Sequence, residues 1–410
     1  MRLPIWCLAS GVVLVLTGLA PRTAADVLEL RPACPPGSAP YCHTALAPLL
    51  QELHIPTAGR SLPGPSNPVL VDISPGTFSL ASTAWPYCSG LSHVTFRGAG
   101  RRATVLDGGG FPSQPGFWDF FGPYAVLIQN CSQVEFADLT IRTTPGVANS
   151  AIRFVGEGST SWTHVWIVAQ ASLHSLSIAW LDSPSPTGAA SHHYWNDAEI
   201  EVGGDLASGL WVTGSRHEIR SSEIEVESHA TGGVGYGAIF GSGPFDVSVQ
   251  GSTLTARDTA ASLINVGVVY LSAASGLFPP CNAARLSIEG SRLVGSAESG
   301  DVIGINNQCF TTTGAVTARG VQFDLSGPVR RRLQGTPIDA PYALGSGANP
   351  PLVGATWSLK GQDTFVEIDC SAVLCNDTPQ GSATHVLTFD PACATAGPWF
   401  DQTTQRCRGL

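Results

Sequence analysis

The chain beyond Pro68 is a series of short apolar runs separated by Gly, Ser and Asn. In each of five segments, apolar residues at positions i and i+2 precede a polar or glycine turn, and apolar residues resume about five positions later; His217 is the lone polar start. Such short runs between turn residues predict strands. The segments are VEFADLTI from Val134, HEIRSSEIEV from His217, VSVQGSTLTA from Val247, LSIEGSRLVG from Leu286 and VTARGVQFDL from Val316. By its spacing, THVWIVAQ from Thr163 belongs to the same series.

These segments recur about every thirty residues, and a further strand-like run precedes each of them. The preceding runs are AVLIQN from Ala125, AIRFVG from Ala151, GLWVTG from Gly209, GAIFGS from Gly237, GVVYLS from Gly267 and DVIGIN from Asp301. A period of this length, with several strands and no helix, predicts one solenoid turn per repeat. A β-sandwich is the alternative, although its turns would not recur at this period. One amphipathic stretch, Thr44 to Leu53, predicts a helix.

The segment from Gly98 to Ala103, GAGRRA, spells the G-x-G-x-x-A pattern of a dinucleotide-binding turn. That turn requires a helix directly afterwards, because the helix N-terminus faces the pyrophosphate. Here the β-prone run Thr104 to Leu106 follows instead, and three glycines come soon after it. The pattern therefore predicts a tight turn between two strands.

Three segments resemble the opening coils of pectin lyase-like proteins, which are right-handed parallel β-helices. They are LVDISPGTF from Leu70, VTFRGAG from Val94 with TVLDG from Thr104, and VEFADLTI from Val134. The resemblance spans residues 44 to about 328 and implies an all-β fold, a right-handed parallel β-helix with a short N-terminal capping helix. We expect a signal peptide at 1–25, an N-terminal segment with this helix at 26–67, coils at 68–328, and further coils with a disulfide-containing C-terminal cap at 329–410.

The same superfamily includes lyases, hydrolases, pectin methylesterases and non-catalytic surface proteins, so the fold alone names no reaction. The chain has no Asp-Asp, Gly-His-Gly or Arg-x-Lys motif of the polygalacturonase-like hydrolases. Val165 to Ala169, VWIVA, is similar to a strand of pectate-lyase-like enzymes, but Val and Ala replace its Asp and His. No cofactor is evident, and calcium has no supporting motif.

One aromatic residue recurs in three successive repeats, at Trp211, Phe240 and Tyr270. If the aliphatic residues before them point inward, alternation sends these rings, with Arg153, outward along one face. We interpret that row as a sugar-binding surface in which Arg153 binds a uronate. The alternative is the opposite parity, with the rings stacked inside.

The densest polar and aromatic group, HHYWND, ends at Asp197, and we expect it on a long loop that begins at Asp182. Functional residues concentrate on loops over rigid scaffolds. Asp182, His192, His193 and Asp197 are therefore the candidate catalytic residues, and a lyase-like β-elimination would use a histidine or tyrosine as base. Adjacent histidines on a loop are also commonly just solvated.

The chain begins with the basic Arg2, continues with an apolar run from Ile5 to Ala20 and then reaches Thr23-Ala24-Ala25. This pattern predicts a secretory signal peptide, and hence a protein outside the cell, at its surface or in a periplasm. The run is short for a transmembrane helix. The other cysteines are even in number and form near neighbours, among them Cys34 with Cys42 and Cys88 with Cys131, which suits disulfides.

A net charge of −10 and a single lysine argue against nucleic acid as a partner. Two functions remain. One is an extracellular protein that binds, and as an enzyme cleaves, a polysaccharide; the other is a non-catalytic surface or binding protein.

Overall fold

The computed structural model describes most of the chain from Asp26 to residue 334 and short strands beyond it. The described ranges are 26–57, 59–80, 87–108, 124–143, 150–170, 176–183, 191–229, 237–259, 266–272, 284–298, 301–307, 315–319, 321–326, 329–334, 356–360, 386–388, 399–401 and 406–408. The expected signal peptide lies outside these residues.

Three parallel sheets contain nearly all of the strands. Sheet I has thirteen strands: Asp26–Leu30, Cys42–His43, Val69–Ile73, Ser92–Arg97, Ser132–Ala137, Ser159–Thr163, Ser191–Asn196, Ser215–Arg220, Asp246–Gln250, Arg285–Glu289, Ala315–Arg319, Thr356–Lys360 and Val386–Thr388. Sheet II has nine: Gly76–Leu80, Thr104–Gly108, Thr140–Thr143, Trp166–Gln170, Glu199–Gly204, Glu223–Ser228, Thr253–Asp258, Arg292–Ala297 and Gln322–Ser326. Sheet III also has nine: Cys88–Ser89, Tyr124–Gln129, Ser150–Val155, Leu176–Ser183, Leu206–Val212, Ile239–Ser242, Val266–Ser272, Asp301–Asn307 and Val329–Gln334.

The chain visits the three sheets in turn, and each circuit pairs with the circuits before and after it. One circuit consists of Ser191–Asn196 in sheet I, Glu199–Gly204 in sheet II and Leu206–Val212 in sheet III. The strand Ser215–Arg220 then returns to sheet I and pairs in parallel with Ser191–Asn196. The predicted parallel β-helix is confirmed, and two facing antiparallel sheets are excluded. Trp399–Asp401 and Arg406–Arg408 form a separate antiparallel pair.

Inward-facing side chains of successive circuits stack along the solenoid axis. Four rings from sheet I, those of Phe96, Phe136, Trp162 and Trp195, are fully buried, and consecutive ring centroids lie 4.8, 4.3 and 5.3 Å apart. The strand register places these rings directly above one another. Burial of large aromatic rings supplies much of the stabilisation of such a core.

A two-residue corner joins sheet I to sheet II in many circuits. Its first residue adopts a left-handed backbone, with φ of 55° at Asp138, 54° at His164, 50° at Asp197 and 47° at Ser221. This conformation is uncommon outside glycine, although short polar residues tolerate it better than most.

The GAGRRA segment occupies the equivalent corner and leads directly into the strand Thr104–Gly108. A Cβ on Gly98 would lie 2.2 Å from the backbone oxygen of Asp138, so the neighbouring circuit requires glycine here. The predicted tight turn is present, and no helix follows it.

The predicted helix is present at Leu46–His54 and contacts the first strands of the solenoid. Leu46, Leu49, Leu50 and Leu53 are its buried apolar side chains. Disulfides join Cys34 to Cys42 and Cys88 to Cys131, as their spacing suggested. Within the described residues, no helix is long and apolar enough to cross a membrane.

Candidate functional site

The structure separates the predicted catalytic residues. Asp182 and His193 lie buried inside the solenoid, whereas His192 lies on the outer face of sheet I and Asp197 at a corner. The expected loop is wrong at both of its ends: Asp182 belongs to the strand Leu176–Ser183, and the histidines belong to Ser191–Asn196. Positions 184–190 lie outside the described residues. The sequence SHHYWN alternates between the two faces of that strand, which accounts for the opposite directions of His192 and His193.

Inside the solenoid, one column of inward residues in sheet I changes from apolar to polar for three circuits. The in-register column reads Val94, Val134, Thr160, His193, His217, Val247 and Leu286. Asp182 of sheet III lies close to the two histidines of this column, and Asp182, His193 and His217 are all buried. A buried carboxylate is costly unless it is hydrogen-bonded, so its partners decide what this cluster can do.

Asp182 accepts four hydrogen bonds. Trp180 Nε1 donates to Oδ1 at 2.5 Å, and Oδ2 accepts from the Thr213 amide at 3.2 Å, from His217 Nε2 at 3.1 Å and from the Ser215 hydroxyl. Burial alone would raise the pKa of Asp182, but its interactions with His217, followed by those with His193 and Ser215, outweigh burial and hold the pKa below its usual range. Asp182 is therefore an ionised carboxylate.

The hydrogen bonds of His217 fix the position of its proton. The indole nitrogen of Trp195 can only donate, and it donates to His217 Nδ1 at 3.1 Å. Nδ1 therefore carries a lone pair, and the ring proton resides on Nε2, where it meets the carboxylate of Asp182.

His193 differs from His217 because one of its ring nitrogens has no partner. Nδ1 lies 2.9 Å from the hydroxyl of Thr160, whereas Nε2 is buried without a hydrogen bond, 3.9 Å from Asp182 Oδ1. Burial, followed by the nearby His217, lowers the pKa of His193 well below its ordinary value. His193 is consequently a neutral ring at neutral pH.

Two histidines and a carboxylate are a ligand set for zinc or iron(II), so we tested whether this cluster fits a metal ion. Their ligand atoms lie within 4.8 Å of one another. A metal bound at His217 Nε2 would move the ring proton to Nδ1, where it would face the N–H of Trp195. His193 fits a metal and His217 does not, and for calcium the cluster offers only one carboxylate. We derive no chemistry through a metal here.

The predicted aromatic row lies on sheet III, on the face opposite the interior. Trp211, Phe240 and Tyr270 are in register on successive strands, with ring centroids 4.2 and 5.6 Å apart. They are only 1, 2 and 9 % exposed, so this face is covered rather than open to solvent. Arg153, in the same column, is also buried, stacks on the ring of Tyr124 at 4.6 Å and donates to its hydroxyl.

An exposed polar network lies around His192 on the outer face of sheet I. The Tyr194 hydroxyl is 2.8 Å from His192 Nδ1, and His192 Nε2 is 3.2 Å from Glu218 Oε1. Arg216 and Arg220 each donate to Glu218, at 2.8 and 3.2 Å. In the register, Tyr194 is directly beside Glu218 and His192 is beside Arg216. We call these five residues the outer-face cluster.

Asp197 lies apart from both clusters, at its left-handed corner. Its carboxylate is 2.5 Å from Nε2 of His164 and 3.0 Å from the guanidinium of Arg101. Arg101 also binds Glu199 at 3.2 Å. These ion pairs join circuits that are distant in sequence. Asp197 therefore has a structural role at a corner whose backbone is strained.

Comparisons with known proteins find similarity in structure and none in sequence. No protein-family model matches the chain, and no curated protein matches it. A pectin methylesterase from carrot overlaps 75% of this chain and 84% of its own, at 12% identity and a TM-score of 0.39. A pectin methylesterase in complex with hexasaccharide VII overlaps 80% of this chain and 99% of its own, at 11% identity and a TM-score of 0.35.

A third solved structure, the A-module of a mannuronan C-5 epimerase from Azotobacter vinelandii, overlaps 64% of this chain and 90% of its own. Its identity is 12% and its TM-score 0.19. We base no argument about activity on these overlaps. The implied pectin lyase-like architecture rests on the three parallel sheets of this chain itself.

Sequence reasoning did not name four residues of these clusters as site residues, namely His217, Glu218, Arg216 and Arg220, and it included Tyr194 only as part of HHYWND. His217 did carry a signal, because it is the lone polar residue at the start of a repeat where the others are apolar. Glu218 and the two arginines carried none, since their proximity to His192 and Tyr194 depends on the register between two circuits.

Proposed function

We propose that this protein binds an extracellular polysaccharide that contains uronates, and that the outer-face cluster is its binding surface. The observation that supports this proposal is the exposed ring of Tyr194 on the outer face of sheet I, with Arg216 and Arg220 at the two diagonal positions of the neighbouring strand. Of the large apolar side chains that are exposed in the described residues, Tyr194 is the one that lies among the coils; the others lie before residue 63.

The side chains of the cluster match the chemistry of an acidic sugar. A tyrosine ring offers an apolar face with a polar edge, which suits the apolar face of a pyranose with its hydroxyls. The side chains of Arg216 and Arg220 are 50 and 59% exposed, and a guanidinium pairs with a carboxylate in two-pronged fashion. The arginines thus provide a local positive charge on a chain whose net charge is −10.

The compartment is part of the same proposal. Disulfides persist in oxidising compartments, and the two pairs described here agree with the predicted signal peptide. A solenoid presents its strands at intervals of about 4.8 Å, so a linear polymer can contact several circuits at once. This geometry suits an extended glycan better than a small ligand.

The proposal is tested by binding of the whole secreted chain to polygalacturonate, alginate and an uncharged glucan. We expect binding to at least one of the acidic polymers and weaker binding to the glucan. Replacing both arginines, R216Q/R220Q, should weaken binding roughly tenfold, since two charge-assisted contacts are lost.

The matched control is Arg292→Gln, an exposed arginine on the outer face of sheet II that also pairs with a carboxylate. R292Q should bind as the unmodified protein does. Absence of binding to all three polymers, or equal losses in R292Q and the double variant, would contradict the proposal.

A further inference from the structure

The tripeptide Asn130-Cys131-Ser132 has the N-x-S pattern of an N-glycosylation acceptor, in which the side-chain nitrogen of the asparagine carries a glycan. The pattern has this meaning only in a secreted protein and only where the asparagine lies on the surface. The predicted signal peptide meets the first condition. The second condition depends on where the fold places the tripeptide.

The tripeptide lies at a corner of the solenoid, between the sheet III strand Tyr124–Gln129 and the sheet I strand Ser132–Ala137. Asn130 and Ser132 are exposed, whereas Cys131 between them is fully buried. Both residues that define the pattern are therefore accessible, and a bulky glycan on Asn130 would extend into solvent.

Asparagine stands at this corner where the neighbouring circuits have glycine. When the register is extended by one residue, the equivalent residue is Gly90 in the preceding circuit and Gly156 in the following one, with φ of 64° and 87°. Asn130 has a φ of 50°, in the left-handed region that glycine adopts without strain and that asparagine tolerates better than most residues. The backbone therefore does not require a side chain here, and this circuit has one that is exposed.

The side-chain amide of Asn130 has its oxygen toward the neighbouring circuit. This oxygen, Oδ1, accepts a hydrogen bond from the backbone amide of Glu157 at 3.2 Å. A Cβ built on Gly156 would lie 1.9 Å from Oδ1 but 3.5 Å from Nδ2. The nitrogen that would carry a sugar is therefore the end of the amide that this contact leaves available.

We infer that Asn130 carries an N-linked glycan in the mature protein. The inference goes beyond the proposed binding of a polysaccharide and does not depend on it, because it rests on the predicted export and on the exposed corner. A second tripeptide of this pattern, Asn376-Asp377-Thr378, lies outside the described residues. The experiment below therefore reports on Asn130 separately.

The modification is a group transfer, and its donor is a lipid diphosphate that carries an oligosaccharide in the membrane of the secretory compartment. Asn130 Nδ2 forms a bond to the anomeric carbon of the first sugar, while the bond between that carbon and the diphosphate oxygen breaks. The lipid diphosphate leaves with the electron pair, and Nδ2 gives one proton to a base of the transferase. Neither an oxidant nor a reductant is needed.

The folded corner also determines when this transfer takes place. Cys131 is buried and joined to Cys88 by a disulfide, and the backbone amide of Asn130 donates to the carbonyl of Val155 at 2.9 Å. A transferase that surrounds the tripeptide cannot do so while its middle residue lies inside the solenoid. Transfer therefore precedes closure of the Cys88–Cys131 disulfide and pairing of the next circuit, while the chain is still being exported.

The test is mass spectrometry of the whole chain secreted by the cells that naturally produce it, read on the peptide that contains Asn130. An amidase that releases N-linked glycans leaves aspartate in place of a glycosylated asparagine, and we expect this change in the natural chain. Ser132→Ala should abolish it. Ser132→Thr is the matched control and should keep it, because threonine also completes the pattern. Ser132 is exposed, so neither substitution alters the core.

Cys88→Ser tests the order of events and is read in the cell lysate, so that its secretion is not required. C88S should be glycosylated at Asn130 at least as fully as the natural chain, and a lower occupancy would overturn the proposed order. A natural chain whose Asn130 peptide is never glycosylated overturns the inference, and so does equal glycosylation of that peptide in S132A and S132T. Polysaccharide binding is not a readout here, so these outcomes leave the proposed function standing.

Discussion

His217 Nε2 lies 3.1 Å from Asp182 Oδ2 in the interior of the solenoid, where neither side chain contacts solvent. His217 belongs to a column of sheet I in which three polar residues interrupt an apolar series, so its pairing with Asp182 of sheet III is not part of the repeating apolar core. If a buried ion loses its partner, it remains in the interior without a compensating contact. The resulting loss of stability is then greater than the stability that the intact pair contributes. The two residues thus make the middle circuits sensitive to single substitutions.

We predict that Asp182→Asn destabilises the protein by about 3–5 kcal/mol, because several donors would face an amide in place of a carboxylate. Denaturant unfolding measures this change. Asp246→Asn, on the outer face of sheet I, is the control and should change stability by less than about 0.5 kcal/mol. Similar values for the two variants would mean that Asp182 is not a buried ionised acceptor.

The buried histidines predict a loss of stability in mild acid. Burial lowers the pKa of His193, His43 and His54 in the folded state, so below the ordinary value of 6.5 the unfolded chain binds more protons. Stability is therefore complete above that pH and falls as the pH drops below it, by up to about 1.4 kcal/mol per pH unit for each histidine. The lowered pKa of Asp182 adds a further loss at lower pH.

Unfolding free energies of the unmodified chain and of His193→Gln between pH 8 and pH 5 check this prediction. The variant should show a shallower decline, since one of the titrating groups is gone. His229→Gln serves as control because His229 is exposed, and its decline should match that of the unmodified chain. Parallel curves for all three proteins would show that His193 does not titrate on unfolding.

The hydrogen bond from Trp195 to His217 predicts that the buried cluster binds no metal. Addition of Zn²⁺ or of a chelator should leave the thermal midpoint of unfolding unchanged. If the cluster did bind Zn²⁺, a Zn²⁺ concentration a hundredfold above the Kd would raise the free energy of unfolding by about 2.7 kcal/mol, and the midpoint would rise with it. Trp195→Phe removes the opposing N–H donor and should make the histidine pair more receptive to Zn²⁺. A zinc-dependent midpoint in the unmodified chain would refute the tautomer assigned to His217.

Much of the fold follows from local pattern, because a solenoid repeats the same contacts in each circuit. The period and the corner at Gly98 were predicted from the sequence. The spacing of the cysteines suggested Cys34 with Cys42 and Cys88 with Cys131 without fixing the connectivity, which the structure shows. Alternation left two parities for the Trp211 row, and the structure has the row on the outer side of its sheet. These features depend on neighbours within one or two circuits.

The sites were less predictable, because they depend on which circuits face each other and on what covers each face. His192 and His193 are adjacent in sequence but lie on opposite faces of one strand. A loop was expected here, and a loop prediction does not assign neighbouring side chains to opposite faces. Asp182 meets His217 only because sheets I and III enclose the same interior. The burial of the Trp211 row cannot be read from alternation, which gives the side of the sheet and not its exposure.

The last prediction concerns Trp211, whose side chain is only 1% exposed. A ring this deeply buried should contribute to packing and not to sugar binding. We expect Trp211→Ala to lower the free energy of unfolding by about 3–5 kcal/mol, the usual cost of removing a large buried ring. Trp166→Ala, on the half-buried outer face of sheet II, should cost about 1 kcal/mol, mainly its stacking with Arg102 at 4.8 Å. Polymer retention by folded W211A should equal that of the unmodified chain. If W211A instead kept its stability and lost retention, the row on sheet III would be a sugar-binding surface, and the outer-face cluster would no longer account for binding alone.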